Sequence, residues 1–292
     1  AQGSASDLVE DFFTQEYRLD YLIHCYEKPL LVWGNGIVMG GGLGLMAGAS
    51  HRVVTETSRI AMPEQTIGLY PDVGGSYFLH KMPHSVGLFL GLTSASINCD
   101  DARFVALADH YVKADKYDAL LAGLLSIKWG KTASLNHEKL TTLLTDLDQQ
   151  SGRLPKGNIK ANLATIQELA EFTTLQQQVD YILNLNTDDK WLLKAQKSLK
   201  HGCPLSCALV SRQLKTSKGK SLAECFRMEL GMSVRAGEVG EFQEGVRALL
   251  IDKDGAPNWQ YKTLSDVPSS VVDSFFEDRY GNNHPLKQLQ QG

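Results

Sequence analysis

No stretch of this 292-residue sequence stays apolar for long enough to span a bilayer, so no membrane partner is expected. Positive charge is in short supply as well: 29 lysines and arginines against 33 aspartates and glutamates leave a formal net charge of −4. That balance offers no broad basic footprint for nucleic acid, although basic residues can still gather around a ligand phosphate. Cysteine is scarce, and the five present, at 25, 99, 203, 207 and 225, are an odd number scattered along the chain. Such usage argues against a disulfide framework and suits free thiols in a reducing compartment. Cys203 and Cys207 lie four apart with His201 beside them. No second ligand pair stands at a zinc-like spacing, so no metal is expected. The histidines form no triad pattern, and internal repeats and low-complexity segments are missing. No secretory signal is visible, and the abrupt start AQGSASDLVEDFF leaves room for a removed targeting segment.

What is present reads as an ordinary globular protein, 43% apolar and 21% charged, with enough chain for one large domain or two small ones. Residues 7–26 repeat apolar side chains at helical spacing, with Ser6 or Asp7 available to cap the start. LLVW (30–33), HRVVTET (51–57), SRIAM (58–62) and HYV (110–112) read as strands. Helices are predicted from Gly74 through SYFLHKM, over HSVGLFLGL, and over DDARFVALA with Asp100 or Asp101 as cap. Beyond about residue 113 every strong pattern is amphipathic and helical. The expectation is an α/β part over 1–112 carrying the active site, and a helical region over 113–292 packed on it.

Two motifs invite chemistry. LLVWGNGIVMGGGLG resembles a dinucleotide loop, and Glu56 even sits about 20 residues on, but the third glycine of G-x-G-x-x-G would be Met39. The pattern fails there, and no cofactor is expected. The second cluster, Gly40, Gly41 and Gly42, opens a helix whose first N–H groups lack helical acceptors. Such amides can hold an oxyanion. The same glycines can equally serve only tight helix–strand packing. In AMPEQTIGLYPDVGG (61–75), Glu64 and Asp72 each follow a proline, which suits either two fixed acids or two turn residues.

The stretch from Gly34 to Leu79 resembles the enoyl-CoA hydratase/isomerase (crotonase) superfamily, and within it the 3-hydroxyisobutyryl-CoA hydrolase group. FTQEYRL (13–19), LADHYV (107–112) and EFQEGVRALLIDKDGAPNW (241–259) share the likeness; the helical middle over 113–200 adds little. The resemblance implies a spiral of ββα turns followed by helices, with the first turns of the core falling before this chain begins. It implies acyl-CoA as substrate, coenzyme A being part of that substrate and no separate cofactor being needed. It implies that Gly41 N–H stabilises the thioester oxyanion, a second donor coming from an earlier loop. Hydratases carry a glutamate three residues after that glycine; here Gly44 stands in its place. Pro-Glu followed eight residues on by Asp in Pro-Asp-Val-Gly-Gly matches the hydrolase pattern at Glu64 and Asp72. Glu64 would attack the carbonyl or activate water, Asp72 would bind the 3-hydroxyl or orient water, Glu16 would contact the acyl group, and Lys253 is a candidate for a CoA phosphate. The expected activity is hydrolysis of 3-hydroxyisobutyryl-CoA in valine breakdown, in a bacterial cytoplasm or mitochondrial matrix. A homo-oligomer is compatible with this reading. The alternatives are an enoyl-CoA hydratase or isomerase, and a non-catalytic binding protein on the same scaffold.

Overall fold

Helix α1 (Ala5–His24) opens the structure, a computed structural model that describes residues 5–289 and side chains from residue 7 onward. It starts ahead of the expected caps. Asp7 therefore sits within the first turn, where the helix dipole favours an acid, and the Ser6 side chain lies outside those described.

Strands β1 (Leu31–Gly34) and β2 (Ile37–Met39) follow, joined through Gly36 at φ 75°. Helix α2 (Gly41–Gly48), β3 (His51–Val54) and β4 (Arg59–Ala61) complete the next step. β3 pairs in parallel with β1, Leu31 opposite His51, and β4 pairs in parallel with β2, Ile37 opposite Arg59. Each strand pair thus lies on the previous one, the geometry of a ββα spiral turn. Only β2 was not expected. It is three residues long inside a glycine-rich run, and of those only Val38 is buried, which is too little for a period to show.

Between β4 and the last strand run α3 (Gly75–Leu79), α4 (Val86–Thr93) and α5 (Cys99–Phe104). The α5 cap is Asn98, whose side chain accepts from the Asp100 and Asp101 N–H groups, while Asp101 returns a bond to the Asn98 N–H. The expected cap at Asp100 or Asp101 is thus displaced upstream by a capping box. Strand β5 (His110–Tyr111) joins β3 in parallel. After it the chain is helical: α6 (Tyr117–Ser126), α7 (Ala133–Ser151), α8 (Leu163–Gln167), α9 (Leu175–Leu183), α10 (Lys190–His201), α11 (Pro204–Ser217), α12 (Leu222–Val239), α13 (Glu241–Val246) and α14 (Ser269–Ser274). No described helix is long and apolar enough to cross a membrane.

The residues group into two units, one from Leu22–Ala61 and Ser96–Asn162, the other from Ala1–Tyr21, Met62–Ala95 and Leu163–Gly292. In the first, Val53, Val112, Leu120, Leu140, Leu144 and Leu147 form a continuous apolar core between the three-stranded sheet and α6–α7. In the second, α11 packs on α3 and α4, and α12 packs on α3.

Glycine permits the closest approaches in this second unit. A β-carbon on Gly87 would lie 1.9 Å from the Leu79 carbonyl oxygen, and one on Gly68, at φ 71°, would lie 2.3 Å from the Glu241 carbonyl oxygen. Gly68→Ala should therefore cost about 1–3 kcal/mol from backbone strain alone, with the clash in addition. Gly42→Ala, where a β-carbon meets nothing within 4 Å, should cost clearly less. Thermal denaturation of both variants beside the parent checks the order.

Candidate active site

Pro63 fixes the entry to a short 3-10 turn, Glu64–Ile67, and Gly68 closes it in the left-handed conformation, its N–H bonding back to the Glu64 carbonyl. Gly245 of α13 lies directly against Ile67, so close that a β-carbon there would sit 2.2 Å from the Ile67 backbone. The turn is clamped, and with it the Glu64 side chain, which is only 4% exposed. No group among the described residues bonds to Glu64 Oε2. A buried carboxyl oxygen without a partner is uncommon in a folded protein.

Asp72, 5% exposed, sits in the loop between that turn and α3. Val73 at φ 47° and Gly74 at φ 88° bend the loop back on itself. Two helices hold the bend. Glu229 of α12 accepts the Gly74 N–H on Oε2 and the Ser76 N–H on Oε1, both at 2.8 Å. Gln213 of α11 donates to the Pro71 carbonyl at 2.6 Å and to Ser76 Oγ at 2.7 Å.

Asp72 Oδ2 lies 2.8 Å from the Tyr17 hydroxyl of α1. That hydroxyl is 2.6 Å from Ser233 Oγ on α12, which is 2.7 Å from the Tyr70 hydroxyl, and Tyr70 donates to the Glu229 carbonyl at 2.6 Å. Tyr17, Tyr70 and Ser233 are all fully buried.

Acids therefore meet here with no basic partner among the described residues. Burial first, and then the charges of Asp72 and Glu16, push the Glu64 pKa well above the ordinary carboxylate range. Burial followed by Glu229 does the same to Asp72, against a lowering hydrogen bond from Tyr17. Burial raises Glu229 to about 7 in spite of its bonds to the Ser76 and Gly74 backbone. Asp20, one turn after Glu16 on α1, is pushed to about 8 by burial and by the charges of Glu16, Asp72 and Glu229. Glu16 itself, half-buried, is raised by burial alone. Such a cluster holds its protons more strongly than solvated carboxylates do, a property that acid–base chemistry uses.

Of the residues singled out in the sequence, Glu16, Glu64 and Asp72 thus come together within one unit. Gly41 belongs to the other unit, where it starts α2 behind Gly40 at φ 54°, ψ −131°, a conformation reserved for glycine. The Leu43 and Gly44 N–H groups both bond to the Gly40 carbonyl, while no acceptor among the described residues takes the Gly41 N–H. Gly34 and Gly36 lead into β2 instead of a helix, and Glu56 accepts the Ala114 N–H, so both halves of the dinucleotide pattern have structural roles. Lys253 is exposed at φ 56°. Cys203 and Cys207 are buried, their thiols pushed to about 12, and His201 Nδ1 faces the Lys197 carbonyl.

Tyr17, Asp20, Tyr70, Glu229 and Ser233 were not anticipated. A faint signal existed: Glu16 and Asp20, like Glu229 and Ser233, are polar pairs four apart on helices whose same faces are otherwise apolar.

The enoyl-CoA hydratase/isomerase family pattern matches residues 1–276. The mitochondrial 3-hydroxyisobutyryl-CoA hydrolase of Danio rerio is 36% identical over 278 residues, covering 94% of this chain and 71% of that protein. 3-Hydroxyisobutyryl-CoA hydrolase 1 of Arabidopsis thaliana is 32% identical over 275 residues, covering 92% and 71%. Among solved structures, an enoyl-CoA hydratase from Rhodobacter sphaeroides 2.4.1 matches with TM-score 0.79 at 30% identity, covering 95% of this chain and 76% of that one. The α/β front with its helical continuation is therefore the crotonase-type fold that the sequence implied.

The acid cluster has a sign-determined effect on stability. Asp20 rises from 3.8 to about 8 on folding, so across that window the folded chain holds a proton that the unfolded chain has released. Stability then falls as pH rises through the window. Asp20→Asn removes the need to ionise a buried acid. It should flatten the decline of the melting temperature between pH 4 and pH 8 and raise that temperature at pH 8, as a pH series of thermal melts would show.

Proposed function

We propose that this chain, which belongs to the enoyl-CoA hydratase/isomerase family, hydrolyses the thioester of 3-hydroxyisobutyryl-CoA to 3-hydroxyisobutyrate and coenzyme A. The observation that carries the reading is the buried Glu64 carboxyl with an unpartnered oxygen, next to a second buried acid, Asp72. Leaving such a group without a partner costs on the order of 1–3 kcal/mol or more, a cost that a substrate contact would offset.

Thioester hydrolysis needs a polarised carbonyl, a nucleophile and a proton for the departing sulfur. The Gly41 amide is itself fitted to an oxyanion role: it opens a helix, has no acceptor among the described residues and carries no β-carbon to obstruct a ligand. Glu64 serves as the base for an attacking water or as the attacking carboxylate. Its raised pKa makes its anion a stronger base than a solvated glutamate. Asp72, protonated more readily than usual, is fitted to hydrogen-bond the substrate 3-hydroxyl or to hand over a proton. Glu16 completes the polar wall on the α1 side. Hydration of a double bond is disfavoured because Gly44, which cannot exchange a proton, stands where hydratases place their second glutamate. The mitochondrial names of the relatives support a matrix location for this chain as well.

Glu64→Gln keeps the shape of the side chain and removes its basicity. Release of free thiol from 3-hydroxyisobutyryl-CoA should fall by about 100-fold or more, measured with a thiol-reactive dye. Crotonyl-CoA should keep its conjugated thioester absorbance when incubated with the parent protein. An unchanged rate in Glu64→Gln would remove Glu64 from the mechanism, and loss of the absorbance would move the chain to the hydratases.

A further inference from the structure

Four contacts run in a line from Asp72: to Tyr17, from Tyr17 to Ser233, from Ser233 to Tyr70, and from Tyr70 to the Glu229 carbonyl, at 2.8, 2.6, 2.7 and 2.6 Å. Each is a hydrogen bond by distance, and each needs one proton. The three hydroxyls supply one apiece, and the far end is a carbonyl that can only accept. An ionised Asp72 also only accepts. Three protons then cover four contacts, and one pair of oxygens faces lone pair to lone pair. With Asp72 protonated the count closes: its carboxyl O–H donates to Tyr17, Tyr17 to Ser233, Ser233 to Tyr70 and Tyr70 to the Glu229 carbonyl.

We propose that Tyr17, Ser233 and Tyr70 form a directional hydroxyl relay that sets the protonation of Asp72, making all three positioning residues for that acid. The inference rests on the proposed role of Asp72 at the active site, but the relay is defined without substrate. When Asp72 gives its proton outward, Tyr17 swings its hydroxyl toward Oδ2 and donates to the new anion. Ser233 then turns toward Tyr17, and Tyr70 either follows or keeps its bond to the carbonyl. The three hydroxyls keep their own protons; the one that leaves is the Asp72 carboxyl proton. All three hydroxyls are fully buried, so bulk water does not reach the gap. Around Asp72 the other titratable groups are Glu16, Tyr17 and Asp20 on α1, Glu64 on the 3-10 turn, Tyr70 in the same loop and Glu229 on α12, and no cation is among the largest influences on it.

The direction of the line gives opposite signs at its two ends. Tyr17→Phe takes away the side-chain donor to the Asp72 anion and should raise the Asp72 pKa. Tyr70→Phe takes away the link to the terminal carbonyl. The two remaining hydroxyls can then both point toward an ionised Asp72 with no contact left empty, so its pKa should fall. Ser233→Ala also ends the shortage and should lower it too.

Carbon-13 NMR of protein labelled at the aspartate carboxyls, with Asp72 assigned by the signal missing in Asp72→Asn, reads this directly. The expected shifts are about half a unit to one unit, the size of one hydrogen bond, upward for Tyr17→Phe and downward for Tyr70→Phe and Ser233→Ala. In the double variant Tyr17→Phe/Tyr70→Phe the downward effect should vanish, because the line is already cut beside Asp72. Shifts of the same sign for Tyr17→Phe and Tyr70→Phe, or no shift in either, overturn the relay, as does a downward effect that survives in the double variant. Since the titration uses no acyl-CoA, it decides the relay even if thioester hydrolysis fails.

Discussion

Glu229 is the tie on which the arrangement depends. Its two oxygens hold the Gly74 and Ser76 amides at 2.8 Å, and the bend they stabilise carries Asp72. This buried carboxylate thereby fixes the position of the loop, together with Gln213 of α11. The same helix offers the Glu229 carbonyl and the Ser233 hydroxyl to Tyr70. One stretch of α12 consequently acts on both the position and the electrostatics of Asp72. The site is a product of the helical region as much as of the glycine- and proline-rich front of the chain.

Packing several acids together with no basic group among them is unfavourable for folding, since each must be stripped of water and each resists the ionisation of the next. The fold tolerates this through backbone donors at Glu229 and hydroxyls at Asp72, with apolar packing such as Tyr17 against Phe226 nearby. Glu64 and Asp20 are each left without compensation on one oxygen. Local rules broken at one place and respected around it are what a functional site looks like in energetic terms.

The sequence made the secondary structure largely readable because the signals were local. Short apolar or β-branched runs marked β1, β3, β4 and β5, and amphipathic periods marked most helices after residue 113. β2 escaped because three residues cannot show a period, and the α5 cap was misplaced because Asn98 and Asp101 share the task. Glu16, Glu64 and Asp72 were legible through the proline-anchored motif and its family likeness. Tyr17, Tyr70, Glu229 and Ser233 were not, since a tyrosine or serine on a helix has no pattern that reveals a partner far away in the sequence. Their roles are set by tertiary contact alone.

That separation bears on how the protein comes into being. Asp72 and the glutamate that pins its loop are joined across 155 residues between Gly74 and Glu229. A growing chain emerging from the ribosome must therefore complete α12 before that tie can form. Until then the acid lies in a glycine-hinged loop without its anchor, open to water, with the strength of any free aspartic acid. The competence of the early motif arrives only with the late helix.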